Sequence, residues 1–467
     1  MKRNIIKYMA LGVCMLTLQA CNDYFDVKPK SQVLADYMFE SEQGFDDQLI
    51  GVYKQLTSTS LYGKEMTFGF MEVLSQNYDL PSGSPYEEAA KYNYENTSME
   101  SIVDNIWSGM YTAIANINLM LEYIDKDLSI FTENNHDKYK GEALALRAFM
   151  HLELLRIFAP AYSSSPNAPA IPYVTAYTPN VTPQSTVTEA LDYIIKDLEE
   201  AASLITSVTV NYEGYRINAY TINSLLARAY WWKGDAKNAL KYARFIINDP
   251  SIESLRYWVY SSSLNNSERA YWDRMFSTEL LFRLNVIDLD DITDTYFKST
   301  GGGTNKLSPS PTKWEDIFEY AKGYGTDFRY TKQWEYDGSD PYFAKYWQYE
   351  NGMFNNMVPV VRKSEPYYIA AEALASMDSI PQAVAYLNKV RSNRNLSEFP
   401  IEETISANEL QNEIYKEYRK EFVGEGQLFF YYKRMKYANI PGSSVPASDA
   451  VYVLPMPDNE IEFGERK

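Results

Sequence analysis

Apolar residues return at three- and four-residue steps along most of this chain, the pattern of helices that each bury one face. Val187, Leu191, Ile194, Leu198, Ala201 and Ile205 form one such face. Thr186-Val187-Thr188-Glu189 opens it as a capping-box pattern, whose first and fourth side chains satisfy free amides of the first turn. A second helix is predicted from about Asn218 to Lys233. It stops at Gly234, because glycine accepts the left-handed backbone that ends a helix. Asp235 caps a third helix, predicted to end near Asp249-Pro250, and further helices are predicted around 101–125 and 138–158.

The stretch "LLARAYWWKGDAKNALKYARFIINDP" places Ala227, Tyr230, Ala239 and a closing proline close to tetratricopeptide spacing. "YYIAAEALASMDSIPQAVAYLNKVR" repeats it, with Ala371 and Ala383 again twelve residues apart. Small residues there let two antiparallel helices approach closely. One such pair cannot bury its own apolar face, so several should stack. The expected fold is mostly α: a tetratricopeptide-like superhelix of helical pairs with an irregular, loop-rich insertion and short strands. Residues 160–183 hold six prolines and read as an irregular crossing loop. Residues 255–358 are mixed: "LLFRLNVI" alternates like a strand, glycines cluster at 301–303, and 314–349 carries thirteen aromatic side chains. "VYVLPMP" near the end reads as extended chain packed on the body. The expected divisions are a leader at 1–20, helical regions at 21–255 and 359–467, and an aromatic-rich ligand-loop region at 256–358.

The start of the chain departs from this pattern. Lys2, Arg3 and Lys7 precede an apolar run from Tyr8 to Leu18. Eleven residues are too few to span a membrane, which takes about twenty. A charged start, a short apolar centre and small residues before a break describe a secretory signal. Leu18-Gln19-Ala20-Cys21 resembles the lipobox of bacterial lipoproteins, with Gln19 bulkier than the usual small residue. Cleavage there makes Cys21 the lipid anchor and removes Cys14, so no disulfide can form and a packed core must hold the remaining 447 residues.

The 44 Lys and Arg against 62 Asp and Glu give a formal charge of −18, and loss of the leader's three cations takes it to about −21. Such a surface repels nucleic acid and anionic headgroups, so neither is an expected partner. Forty-one tyrosines and eight tryptophans are the compositional peculiarity.

Several longer segments resemble the SusD/RagB family of Bacteroidetes nutrient-uptake lipoproteins. "ACNDYFDVKPKS" is similar to the family's opening, and "WSGMYTAIANINLML" to its tryptophan, tyrosine and asparagine spacing. "GEALALRAFMHLELLRIFAP" resembles its most recognisable helix, with Glu142, Arg147 and Ala148 in place. "VVRKSEPYYIAAEALA", "LNKVRSNRN" and "YVLPMPDNEI" match further signatures. "EIYKEYRKEFVGEGQLFFYYKR" matches in Glu417, Arg419, Glu421, Glu425, Gly426 and Arg434, and departs at Tyr432, where an aspartate is usual. The resemblance implies a tetratricopeptide scaffold carrying ligand loops. It also implies a lipoprotein on the outer face of the outer membrane that captures oligosaccharide or peptide. Its implied partner is a SusC-like TonB-dependent transporter, which it covers as a lid. It implies no catalysis and no cofactor, and Asn22, Asp23 and Asp26 resemble the acidic tether that sends such proteins to the cell surface.

The residues themselves agree with a binding role. His136 and His151 are the only histidines, and no nucleophile elbow or zinc-helix motif appears. His151, on an apolar helix, reads as a core histidine. Glu142, Arg147, Glu417, Arg419 and Glu421 read as structural, since arginine forks pair with carboxylates where helices meet. Asp288, Asp290, Asp291 and Asp294 of "DLDDITD" lack the glycine and final glutamate of a calcium loop and read as a solvated turn. No metal site is assigned.

Aromatic faces make platforms for the C–H faces of sugars, and tyrosine adds a hydroxyl. Two stretches carry them. "NYDLPSGSPYEEAAKYNYENTS" contributes Asp79, Tyr86, Tyr92, Tyr94 and Asn96; the 314–349 cluster contributes Trp314, Trp334, Tyr336 and Trp347. The expected function is glycan capture. A peptide-binding member of the same family and a tetratricopeptide adaptor without a small ligand are the alternatives.

Overall fold

The computed structural model describes residues 30–206, 214–265, 272–298, 303–347 and 355–466. The leader and Cys21 lie outside the described residues. Helices α1 (Lys30–Met38), α2 (Glu42–Leu56) and α3 (Phe70–Leu74) lead into two long helices, α4 (Thr97–Tyr123) and α5 (Asn135–Phe158). Then come α6 (Val187–Leu204), α7 (Ala219–Trp232) and α8 (Ala236–Ile247). The insertion holds α9 (Leu289–Phe297), α10 (Pro311–Ile317) and α11 (Phe328–Lys332), and the scaffold resumes with α12 (Ser364–Ser376), α13 (Ile380–Ser392), α14 (Ala407–Phe422) and α15 (Leu428–Arg434). No described helix is long and apolar enough to cross a membrane.

The helices pack in chain order: α4 on α5, α5 on α6, α6 on α7 and α7 on α8. The series then skips the insertion, with α8 resting directly on α12 and α12 on α13 and α14. This is the stacked superhelix that the periodicity predicts. Ala227, Ala239, Ala371 and Ala383 are all fully buried at the helix contacts. Local signals hold as well. Thr186 and Glu189 form the capping box, the Asn218 side chain accepts Thr221 N–H, and Asp235 caps α8 after Gly234 turns at φ +81°.

Among the described residues there are also three two-stranded antiparallel ladders: β1 (Pro169–Pro172) with β2 (Gln184–Thr186), β3 (Leu280–Asn285) with β6 (Met357–Arg362), and the hairpin β4 (Trp334–Asp337) with β5 (Asp340–Phe343). β3 lies within "LLFRLNVI", and its partner β6 straddles position 358, so the insertion is tied to the scaffold by a ladder at its edge. "DLDDITD" is not a turn: Leu289–Phe297 is helical, begun by Asp288 at φ +59°. Among the described residues no cluster of His, Cys, Asp or Glu could hold a metal ion. "VYVLPMP" opens with the end of a four-residue helix, Asp449–Tyr452, and only then runs extended, with Leu454 N–H donating to Ile157 O at 3.2 Å.

Buried ion pairs bind the layers. Arg147 forks onto Asp197 at 2.6 and 2.9 Å, joining α5 to α6, and its third nitrogen reaches Asn118 on α4 at 3.1 Å. Arg216 forks onto Glu142 at 2.8 and 2.9 Å. Arg228 of α7 reaches Glu365 of α12 at 2.7 Å, and Arg434 reaches Glu372 at 2.7 Å. These signature charges are structural, because a buried charge needs a partner. The buried Tyr432 hydroxyl meets that of Tyr415 at 3.3 Å.

His151 is a core histidine. Its Nδ1–H donates to Arg147 O at 2.9 Å, Nε2 accepts Val174 N–H at 3.0 Å, and burial pulls its pKa down to about 3.

Candidate functional site

The two stretches singled out by their aromatics meet in space, with Tyr78 and Phe343 6.5 Å apart between ring centroids, and the first is also bonded to the segment just before the second. Asp79 N–H donates to Ser308 O at 3.0 Å, and Asp79 Oδ2 accepts Ser310 N–H at 2.8 Å. Lys313 lies 2.6 Å from Asp79 and also donates to Gln76 O and Tyr78 O at 3.2 and 3.0 Å. Residues 76–79 are thereby strapped to the start of α10. Partial burial works against ionisation of Asp79, but Lys313 and the Ser310 hydroxyl and amide hold its carboxyl below the usual range.

Beside this junction opens a cleft of about 500 Å³. The insertion supplies Thr312, Asp316, Glu319 and Tyr320; α14 supplies Tyr415, Lys416 and Arg419. Most of its charges are paired in place. Glu319 lies 2.7 Å from Lys420, 2.7 Å from Lys322 and 3.2 Å from Lys416. Burial opposes ionisation of Glu319, and the three lysines overcome it, bringing its pKa to about 2. Arg419 donates from Nε to Asn77 Oδ1 at 3.0 Å and from Nη1 to Asp316 Oδ2 at 3.1 Å. A guanidinium so held meets a ligand without first losing rotamer freedom.

The insertion sets a bank of rings beside the cleft. Trp314 stacks on Trp334 (5.1 Å between centroids, 19° between planes) and on Tyr330 (6.4 Å, 20°). Tyr330 in turn contacts Tyr320 at 5.3 Å. Tyr320 and Tyr336 are exposed, at 49% and 61%, whereas Trp314 is 2% exposed. Trp314 is therefore the buried support of the bank and not a contact surface: Phe318 and Phe343 close it in, and its Nε1–H is used on Tyr330 O at 3.2 Å. Trp334 is half-buried beside it, and the β4–β5 hairpin carries Tyr336 outward.

The remaining expected ligand residues stand elsewhere. Tyr92 is buried, donates to Leu74 O at 3.0 Å and stacks on Phe429. Tyr94 is buried and donates to Val451 O at 2.7 Å, and Tyr86 is buried against Glu65 at 3.0 Å. Asn96 is the N-cap of α4, accepting Ser98 N–H at 3.0 Å. These tyrosines carry a hydroxyl into the core, where it finds a partner, and none offers a face to solvent. Trp347 is half-buried, with Arg274 4.8 Å and Lys298 6.0 Å from its ring.

Sequence reasoning missed α14. Tyr415, Lys416 and Arg419 lie at i, i+1 and i+4 on one helix face, a polar and aromatic stripe beside the apolar one. Arg419 read as a structural partner because its neighbours Glu417 and Glu421 are.

Comparison with known proteins matches residues 23–231 to a family model described as "Starch-binding associating with outer membrane" and residues 211–453 to one described as "SusD family". SusD-like protein P2 of Formosa agariphila is 23% identical over 514 aligned positions, covering 99% of this chain and 97% of its own. SusD-like protein P38 of the same organism is 21% identical, covering 91% of this chain and 90% of its own. A SusD-like carbohydrate binding protein from Bacteroides vulgatus superposes with a TM-score of 0.73 at 22% identity, over 91% of this chain and 97% of that one. A SusD superfamily protein from Bacteroides thetaiotaomicron superposes at 0.69 and 22%, over 91% and 98%. These structures share the fold.

Proposed function

This chain belongs to the SusD family, and from that premise we propose that it is a glycan-binding protein of the outer cell surface, lipid-anchored through Cys21. In this reading it hands oligosaccharide to a SusC-like TonB-dependent transporter as its lid subunit. The observation that carries the reading is the cleft of about 500 Å³ between α10 and α14 with the ring bank beside it. A volume of that order suits a ligand of a few sugar rings. Tyr320 and Tyr336 offer faces to sugar C–H groups, while Arg419, Lys416 and Asp316 offer donors and acceptors to hydroxyls. Trp334 and Trp314 stiffen the bank from behind.

Capture in this cleft is reversible and needs no bond chemistry. A glycosidase acid must hold a proton near neutral pH, and Glu319, ringed by three lysines and ionised down to about pH 2, does not fit that part.

The test is a binding screen of the mature protein, with Cys21 replaced, against plant, host and microbial glycans, read by intrinsic tryptophan fluorescence and confirmed by calorimetry. Saturable binding to one glycan class is the expected result. Silence across the panel, with binding to peptides instead, overturns it.

A further inference from the structure

Arg419 enters the cleft already held from behind. The residue that holds it, Asn77, is fully buried. Its Oδ1 accepts Arg419 Nε–H at 3.0 Å, and its Nδ2 donates to Glu72 Oε1 at 2.8 Å. Glu72 is fully buried as well, and its other oxygen accepts Gly426 N–H at 3.0 Å. Lys313, bonded to the carbonyls of Gln76 and Tyr78, pins the backbone on both sides of Asn77.

An amide side chain has an acceptor at one end and donors at the other. An ionised carboxylate only accepts, so Glu72 draws the donor end of Asn77 toward itself and leaves the oxygen for Arg419. A protonated Glu72 carries a donor of its own. The amide can then turn round, which sets N–H against N–H at Arg419 Nε and leaves the guanidinium to its contact with Asp316 on the exposed side. Resting on the cleft as the glycan site, we propose that Glu72 and Asn77 are positioning residues for Arg419: the buried carboxylate sets the amide, and the amide sets the guanidinium that meets the ligand.

Glu72 is poised to change charge. Burial raises its pKa to about 7, against the lowering effect of the Gly424 and Gly426 amides, Asn77 and Lys345. Lys345 itself pairs with Glu425 at 2.5 Å, and the buried Tyr78 and Tyr346 hydroxyls feel the Glu72 charge. The short helix Glu87–Ala90 packs on α3, but its Glu87 and Glu88 pair with Lys91 on the solvent side. From α15, Lys433 turns to Arg156 O and Arg434 to Glu372. Guanidinium placement, and with it ligand affinity, is therefore greatest above about pH 7 and declines below it.

The experiment follows the Arg419 Nε–H resonance in protein labelled with 15N-arginine, identified by its loss in Arg419→Lys. In the wild type it should titrate with a midpoint near 7; in Glu72→Gln and in Asn77→Ala it should not. A resonance that is flat in the wild type, or titrates unchanged in the variants, overturns the proposal. Asn77→Ala leaves Glu72 in place and decides the matter alone if Glu72→Gln fails to fold. Calorimetry with a glycan from the panel should show affinity falling severalfold as pH drops through the same midpoint, in the wild type only. A pH-independent affinity overturns the role in binding. Absence of any glycan binding sinks the cleft reading instead, and the resonance then decides the Arg419 placement separately.

Discussion

Arg329 and Glu417 stand 2.7 Å apart with both side chains sealed from solvent, and they join the aromatic insertion to the helical scaffold. Arg329 lies on α11 and Glu417 on α14. The same guanidinium reaches Glu421 at 3.0 Å and Asp327 at 2.7 Å. Arg391, Arg394 and Lys420 approach the same two glutamates, so the cluster is near balance. Arg329→Ala takes from buried Asp327 the cation it pairs with and leaves Glu417 and Glu421 with one cation fewer each. Removing one partner of a buried pair costs about 3–5 kcal/mol. The unfolding free energy from urea titration should fall by that amount, and protease should cut first within 314–347; an unchanged free energy would show that the insertion does not depend on this tie.

Binding and stability should separate at the aromatic residues. Tyr320→Ala and Arg419→Ala remove a ring face and a charged donor from the cleft, with an expected loss of about 10- to 100-fold in glycan affinity. Tyr94→Phe removes only a buried hydroxyl bonded to Val451 O. It should leave affinity unchanged and lower stability by about 1 kcal/mol. Calorimetry and denaturant unfolding on the three variants check this, and a Tyr94→Phe protein that folds normally but no longer binds would return the site to the 92–96 loop.

His151 gives the stability a pH dependence of known sign. Its folded pKa is about 3, below the ordinary value of 6.5. Below 6.5 the unfolded chain takes a proton that the folded chain refuses. Its contribution is thus complete above 6.5 and is lost as pH falls toward 3, by up to ~1.4 kcal/mol per pH unit. His151→Gln should flatten the decline of unfolding free energy measured between about pH 4.5 and 7. An equal slope in both proteins would locate the acid sensitivity elsewhere.

Gly424 admits no side chain. It sits at φ +80°, and a Cβ there would lie 2.5 Å from the Phe343 ring. Gly424→Ala combines about 1–2 kcal/mol of left-handed strain with about 1–3 kcal/mol of overpacking. The unfolding free energy should drop by the sum, and Phe343→Leu in the same background should restore part of it. No restoration would leave backbone strain as the whole effect.

The scaffold was legible residue by residue. Thr186, Asn218, Gly234 and Asp235 mark helix ends, the alanines at 227, 239, 371 and 383 mark close helix contacts, and each signal acts within a few residues of its own position. The two aromatic stretches that the sequence marks do meet in space, Tyr78 against Phe343. The individual positions were not legible. Tyr92, Tyr94 and Trp314 have the composition of a sugar platform, but their rings fill the core and their polar atoms bond to backbone carbonyls. Arg419 resembles its structural neighbours and yet lines the cleft.

The amino-acid order by itself determined the repeat helices of the scaffold, their caps, their pairing in series and the family, because hydrophobic period and local hydrogen bonds are properties of neighbouring residues. Only the tertiary structure decided which of the many tyrosines face water, that α14 forms a wall of the cleft, and that a carboxylate at 72 reaches an arginine at 419 through Asn77. Burial and long-range contact depend on how distant segments pack, and one side chain's exposure is settled by what the others leave uncovered.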